Sequence, residues 1–113
     1  MLKKQTNKFN DLIKELKEIK NNSSSIKYFS SNNLNLKTSN LKMVLNDYSD
    51  NNIKDWADKN ITFKNNSARF IIFIDDLKGY NINYLKTPLY DSYQVELILY
   101  SNNVINVTFK SNN

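Results

Sequence analysis

Residues 95–109 decide the fold of this chain, and they read Val95-Glu96-Leu97-Ile98-Leu99-Tyr100-Ser101-Asn102-Asn103-Val104-Ile105-Asn106-Val107-Thr108-Phe109. Apolar and polar residues alternate on both sides of a polar centre, which is typical of a β-hairpin with one buried face. A two-residue turn at 102–103 would place Leu99 opposite Asn106 and mix polar with apolar residues. A loop at 101–103 places Leu99 opposite Ile105 instead, so we predict this three-residue loop. The pairs it predicts are Leu99–Ile105, Leu97–Val107 and Val95–Phe109.

A second hairpin is predicted upstream, at residues 60–74. Ile61 and Phe63 alternate with polar residues, and Asn65-Asn66 is a plausible two-residue turn because Asn tolerates positive φ. The predicted pairs are Phe63–Ala68, Ile61–Phe70 and Thr62–Arg69. The strand 69–74 is apolar on both faces, which predicts a central position in the sheet.

The N-terminal segment predicts an amphipathic helix. Its apolar residues follow the spacing of one helical face, at Phe9, Leu12, Ile13, Leu16 and Ile19. Thr6 or Asn7 is suited to cap the start, and Asn21-Asn22 with the serines that follow is suited to end the helix.

Residues 26–57 have a weaker pattern. The segments 26–29 and 34–37 predict a short hairpin with a turn at 30–33. A second helix is predicted behind a Thr38 or Ser39 cap, with Leu41, Val44, Leu45 and Tyr48 on one face. A third, short helix is predicted after Asp50, and its expected buried residues are Ile53, Trp56 and Ala57.

Together these elements predict one α+β domain over residues 1–113. Its architecture is an N-terminal helix plus one or two short helices, packed on one face of a mostly antiparallel sheet of four to five strands. The length suits a single core, and no internal repeat or linker is evident.

The residue inventory argues against catalysis. The chain has no His and no Cys, and Gly79 is its only glycine. The commonest general base and the most nucleophilic side chain are therefore missing, as are the loops that hold phosphates. Asp75, Asp76 and Glu96 are candidate ligands of a Mg²⁺ ion, but an Asp-Asp pair after a strand is better explained as a turn. We predict a non-enzymatic protein with no cofactor and no metal.

The charge of +5 comes from fifteen lysines and one arginine against eleven acids. An AT-rich coding sequence, also indicated by the many Asn, Ile and Tyr residues, would enrich Lys without selection for phosphate binding. No apolar run resembles a signal peptide or a membrane span, which predicts a cytoplasmic protein without a membrane partner. If the lysines do bind nucleic acid, the candidate site is the basic face of the N-terminal helix, with Lys3, Lys4, Lys8, Lys14, Lys17 and Lys20.

Four tyrosines within residues 80–93 are the feature that a core explains least: Tyr80, Tyr84, Tyr90 and Tyr93. Tyrosine is enriched at protein interfaces, and Pro88 suits an edge or loop position. We therefore predict a protein-binding module that docks on a larger protein or complex through these residues. The small size and composition suggest an accessory protein of a phage or mobile element, such as an inhibitor of a nucleic-acid-processing complex. A homodimer paired through a sheet edge is the further alternative.

Overall fold

The computed structural model describes residues 2–31, 40–46 and 59–112. In these ranges one α-helix is followed by seven strands. They are α1 (Leu2–Asn22), β1 (Ser23–Ser30), β2 (Lys42–Asn46), β3 (Asn60–Lys64), β4 (Arg69–Phe73), β5 (Leu77–Lys86), β6 (Asp91–Leu99) and β7 (Val104–Ser111). A 3-10 turn, Ile74–Asp76, joins β4 to β5.

The strands form two antiparallel sheets, one with the order β1-β7-β6-β5 and one with the order β2-β3-β4. The predicted α+β class, N-terminal helix and antiparallel pairing are therefore confirmed. The single sheet of four to five strands was wrong. The chain passes from an edge strand of one sheet, β4, to an edge strand of the other, β5, at the 3-10 turn, so the strands on either side of this turn do not pair in one sheet.

The helix α1 supplies one side of the hydrophobic core. Leu12 and Leu16 are fully buried, Ile13 and Ile19 nearly so. α1 contacts β1, β5 and β7 of one sheet and β2 of the other, so both sheets share one core. The helix begins at Leu2, before the predicted caps. Within the described ranges, no helix combines the length and apolarity that a membrane span requires.

The β6–β7 hairpin has a three-residue loop, as predicted, but the loop comprises residues 100–102. The Leu99 N–H donates to the Asn103 carbonyl at 2.9 Å, and Asn102 has the left-handed φ of 69°. The observed pairs are Leu97–Ile105, Val95–Val107 and Tyr93–Phe109. The predicted partners were therefore wrong, although the predicted buried face was right, because the register moved by two residues and kept its parity.

The β3–β4 hairpin shows the same kind of shift. Its turn closes between Asn65 and Ala68, where the Asn65 N–H donates to the Ala68 carbonyl at 3.0 Å. The Asn65 side-chain oxygen also accepts from the N–H groups of Ser67 and Ala68. The observed pairs are Phe63–Phe70, Ile61–Ile72 and Thr62–Ile71, which replace the predicted Phe63–Ala68, Ile61–Phe70 and Thr62–Arg69.

Residues 42–46 form β2, so the predicted second helix was wrong. Leu41 and Met43 are buried on either side of exposed Lys42, which is the period of a strand. Pairing with β3 along the whole of β2 outweighs the helical spacing of Leu41 and Val44. The rest of that helix, the predicted third helix and residues 34–37 lie outside the described residues. The segment 26–29 is a strand, as predicted, but its observed partner is β7.

In the part of the chain that the structure describes, strand β4 lies at the edge of its sheet, not at the centre as predicted. Ile72 is buried, whereas Ile71 and Phe73 are 41% and 48% exposed. Both faces of β4 are apolar, but only one of them is buried.

The turn interpretation of Asp75 and Asp76 is confirmed, since both belong to the 3-10 turn. The Asp76 carboxylate accepts hydrogen bonds from the backbone N–H and the hydroxyl of Ser101, each at 3.1 Å. The Asp76 carbonyl accepts from the Tyr100 N–H at 2.8 Å. These bonds fix the corner between the two sheets against the β6–β7 loop.

Candidate functional site

The predicted tyrosine segment forms an edge strand and a hairpin turn. β5 pairs only with β6 in the described structure and so borders the four-stranded sheet. The turn at 87–90 is closed by Thr87, whose hydroxyl donates to the Tyr90 carbonyl and accepts from the Tyr90 N–H. The end of this hairpin projects beyond the last paired residues, Lys86 and Asp91.

Tyr84 and Tyr93 lie directly opposite each other on the helix-facing side of the sheet. Their ring centroids are 4.8 Å apart with the planes tilted by 58°, a favourable geometry for an aromatic pair. The Tyr84 hydroxyl donates to an Asp91 carboxylate oxygen at 2.8 Å. Tyr84 is nevertheless exposed, so one edge of this aromatic pair is open to solvent.

Tyr80 has a different environment, because its side chain lies against α1. Burial raises the pKa of Tyr80 to about 12, with further contributions from a hydrogen bond to Glu15 and from the negative charges of Glu15 and Asp11. The phenol therefore stays protonated and connects β5 to the helix. Tyr80 is partly buried against the helix, whereas Tyr84 on the same strand is exposed.

Tyr90 lies in the turn, with the Lys110 ammonium 5.8 Å from its ring centroid, within the range of a cation–π contact. Lys110 pairs with Ser92, which belongs to the sheet face opposite that of Tyr93. The four predicted tyrosines thus do not form one surface. Tyr84 and Tyr93 are in ring contact, Tyr90 lies in the turn at the same end of the hairpin, and Tyr80 lies farther along β5 against α1.

Two leucines that the sequence reasoning did not select complete the exposed group. Leu85 is exposed, and Leu89 at 89% exposed is the most exposed large apolar side chain among the described residues. The available signal was that Leu89 directly follows Pro88, a residue that suits an edge or loop position. We name the set Tyr84, Leu85, Leu89, Tyr90 and Tyr93 the hairpin end.

The lysines proposed for nucleic-acid binding lie on α1, where Lys14, Lys17 and Lys20 are exposed. Lys3, Lys4 and Lys8 belong to the first half of the same helix. Asp11, Glu15 and Glu18 are exposed on the described part, and they border a shallow depression together with Lys14 and Tyr80. Positive and negative charges are therefore mixed on this helix.

A more uniform positive surface lies on the outer face of the three-stranded sheet. Lys42 pairs with Lys64, and Lys64 pairs with Arg69, so three adjacent strands place exposed cations side by side. We name these three residues the cation row. Like charges directly opposite each other destabilise a sheet, so the cation row has a cost in stability. The sequence could not show the row, because Lys42 was assigned to a helix.

The open face of the four-stranded sheet forms a cleft of about 500 Å³. Polar side chains line most of it, namely Tyr28, Asn81, Asn83, Gln94, Glu96, Asn106 and Thr108. The Asn81 amide donates to the Glu96 carboxylate at 2.8 Å. This is the solvated face expected of an antiparallel sheet whose other face is buried. Among the residues described, no group of three or more acidic side chains is arranged to hold a metal ion.

Comparisons with protein-family models, with curated proteins and with solved structures found no match to this chain. The surfaces of the chain itself are therefore the basis for a functional proposal.

Proposed function

We propose that this protein is a non-enzymatic protein-binding module that docks on a larger partner through the hairpin end. The observation that carries the proposal is the exposure of several large apolar side chains at one end of one hairpin. Leu89 is almost entirely exposed, and Tyr84 and Leu85 are exposed beside it. Grouped apolar side chains in contact with water are typical of an interaction site.

The chemistry of the hairpin end suits a protein partner. Fully burying a Leu side chain contributes about 1.5–3 kcal/mol. The Tyr84–Tyr93 pair is already held by its ring contact and by Asp91, so little side-chain entropy is lost when a partner covers it. Rigid tyrosines with a polar tip are frequent anchors of protein interfaces.

The edge of β5 offers a second means of recognition beside the hairpin end. Residues 79–85 contain no charged residue and no proline, the usual protections of an edge strand, which here stand only at Lys78 and Lys86. An extended partner segment can therefore add to β5 through main-chain hydrogen bonds. Side chains at one end of that partner segment would then lie near Leu89. We propose that the protein acts as an inhibitor or adaptor of a nucleic-acid-processing complex.

Replacing Tyr84 and Tyr90 together with Ala is expected to reduce partner capture at least tenfold, a loss of about 1.4 kcal/mol. The measurement is quantitative capture from an extract of the source cells by immobilised protein. The matched control is the pair Tyr28→Ala and Tyr100→Ala, because both tyrosines are about half exposed but lie outside the hairpin end. Both double variants should keep a cooperative thermal transition. Equal capture by the two variants would argue against the hairpin end.

The second candidate function is weakly specific nucleic-acid binding, and the cation row is the observation that favours it. Lys42, Lys64 and Arg69 present three positive charges to one face. Among the described residues, no acid belongs to that face. Single-stranded nucleic acids bind such surfaces through their phosphates. The mixed charges of α1 make the helix the weaker site.

For this candidate, Lys42→Gln with Lys64→Gln should weaken binding to labelled single-stranded DNA or RNA and flatten its salt dependence by roughly one unit of slope per lysine. Fluorescence anisotropy at several salt concentrations measures both quantities. Lys14→Gln with Lys17→Gln is the matched control on α1. A larger effect of the helix variant would restore the helix lysines as the site, and no binding at low salt would remove this candidate.

A further inference from the structure

The outer edge of β4 is a surface that the hairpin end does not explain. Within residues 2–31, 40–46 and 59–112, β4 forms a ladder with β3 alone, and no described strand pairs with its other edge. Residues 70–74 are all apolar, with no charge, no glycine and no proline. Ile71 and Phe73 are exposed on the outer face of this edge strand. An apolar, uncharged edge of this kind readily pairs with another strand.

We propose that β4 pairs with β4 of a second copy of this chain, antiparallel about a two-fold axis at Ile71. The two three-stranded sheets would then become one six-stranded sheet with the order β2-β3-β4-β4-β3-β2. The contact is isologous, so it closes at two copies and leaves no β4 edge free for further growth. It uses a different sheet from the hairpin end and does not depend on the proposed function.

The register follows from strand geometry. Residues directly opposite each other in an antiparallel pair point to the same face, so a two-fold axis through a continuous sheet must place one residue opposite itself. Centring on Ile71 uses the whole of Arg69–Phe73. Ile71 then meets Ile71, Phe70 meets Ile72, and Arg69 meets Phe73. The first two contacts are apolar, and the third places a guanidinium against an aromatic ring.

The charges also permit a second copy. In this register the two Arg69 side chains are four residues apart along the ladder, roughly 14 Å. This separation exceeds the Debye length, roughly 8 Å at physiological ionic strength. Each copy still has a net charge of +5. Dimerisation should therefore strengthen as salt rises, whereas binding of an acidic protein or a nucleic acid at the cation row would weaken.

The size of the contact sets its expected strength. Five residues a side are far fewer than the roughly 20–30 of a standard interface. We therefore expect a weak dimer, with a dissociation constant in the micromolar range or above. Sedimentation velocity over a range of concentrations and at two salt concentrations measures this equilibrium. Ile71→Lys, which puts a charge at the centre of the edge, should leave only monomer.

Disulfide trapping tests the register itself, because the chain contains no Cys. With Ile71→Cys, the two new thiols face each other with Cα atoms roughly 4.5–5.5 Å apart, inside the range of a disulfide. Mild oxidation should give a covalent dimer. Phe73→Cys is the control on the same strand and face, since its two copies lie roughly 14 Å apart.

Rapid cross-linking of the Ile71 variant alone would support the proposed pairing. Equal cross-linking of both variants would indicate random collision, and no cross-linking of either would show that β4 does not pair with itself. A protein that sediments as a monomer at all concentrations and at both salt concentrations would also overturn the proposal. If the β4 edge instead binds a strand of an acidic partner protein, high salt should weaken that binding, which would contradict the self-pairing of β4.

Discussion

Replacing Phe63 with Ala is expected to lower the free energy of unfolding by about 3–5 kcal/mol. Phe63 is fully buried on β3. Its ring centroid lies 5.1 Å from that of Phe29, and it stands directly opposite Phe70. The substitution removes a contact that joins β1 of one sheet to β3 of the other and leaves a cavity. Urea denaturation followed by circular dichroism measures the loss.

The matched control for Phe63→Ala is Phe73→Ala at low protein concentration. Phe73 is the same residue type on the neighbouring strand, but about half of it is exposed. Its loss should cost well under the Phe63 value, about 1 kcal/mol or less. Similar costs at the two positions would contradict the observed burial and the shared core.

Replacing Leu16 with Ala is the second change with a large expected effect, a loss of about 2–5 kcal/mol. Leu16 is fully buried on α1, which contacts strands of both sheets. Alanine has a higher helix propensity than leucine, so the loss would report lost packing and not a weaker helix. Thermal and chemical denaturation both measure it.

The control for Leu16→Ala is Lys14→Ala, an exposed position on the same helix. It should change the free energy of unfolding by no more than about 0.5 kcal/mol. If both variants were equally stable, α1 would not be packed against the two sheets as described.

The sequence predicted the faces of the hairpins better than their partners. Buried Leu97 and Ile105 share a face because side chains alternate with a period of two. The partner of each residue depends instead on where the turn closes. The loop of the last hairpin contains Asn102 and is followed by Asn103, and either can adopt positive φ. The sequence alone could not show that Asn102 adopts it.

The errors in β2 and β4 have a different origin. Residues 41–46 fit two patterns, a helical one through Leu41, Val44 and Leu45 and a strand pattern through Leu41, Met43 and Leu45. Residues 42–46 form a strand because they pair with β3. The spacing of apolar residues along the chain does not show whether a partner strand is present. β4 looked central because both faces are apolar. Its second face is exposed, a feature that favours an interface over a core.

The candidate site was predicted as a segment and not as a surface. Tyr80 and Tyr84 have the parity of one face, yet α1 covers the first and leaves the second exposed. Only the position of the helix distinguishes them. Leu89 was not selected because Pro88 indicates only an edge or loop position, and the sequence does not show how far this hairpin projects beyond its last paired residues.

Photo-cross-linking in cells tests the central claim, that the hairpin end contacts a partner protein. The photoreactive residue p-benzoylphenylalanine would replace Leu89 at the hairpin end or, as a control, Asn106 on the open face of the sheet. We predict a discrete higher-mass adduct from position 89 that is lost when Tyr84→Ala is added, and no such adduct from position 106. No adduct from position 89, or the same adducts from both positions, would contradict the proposed function.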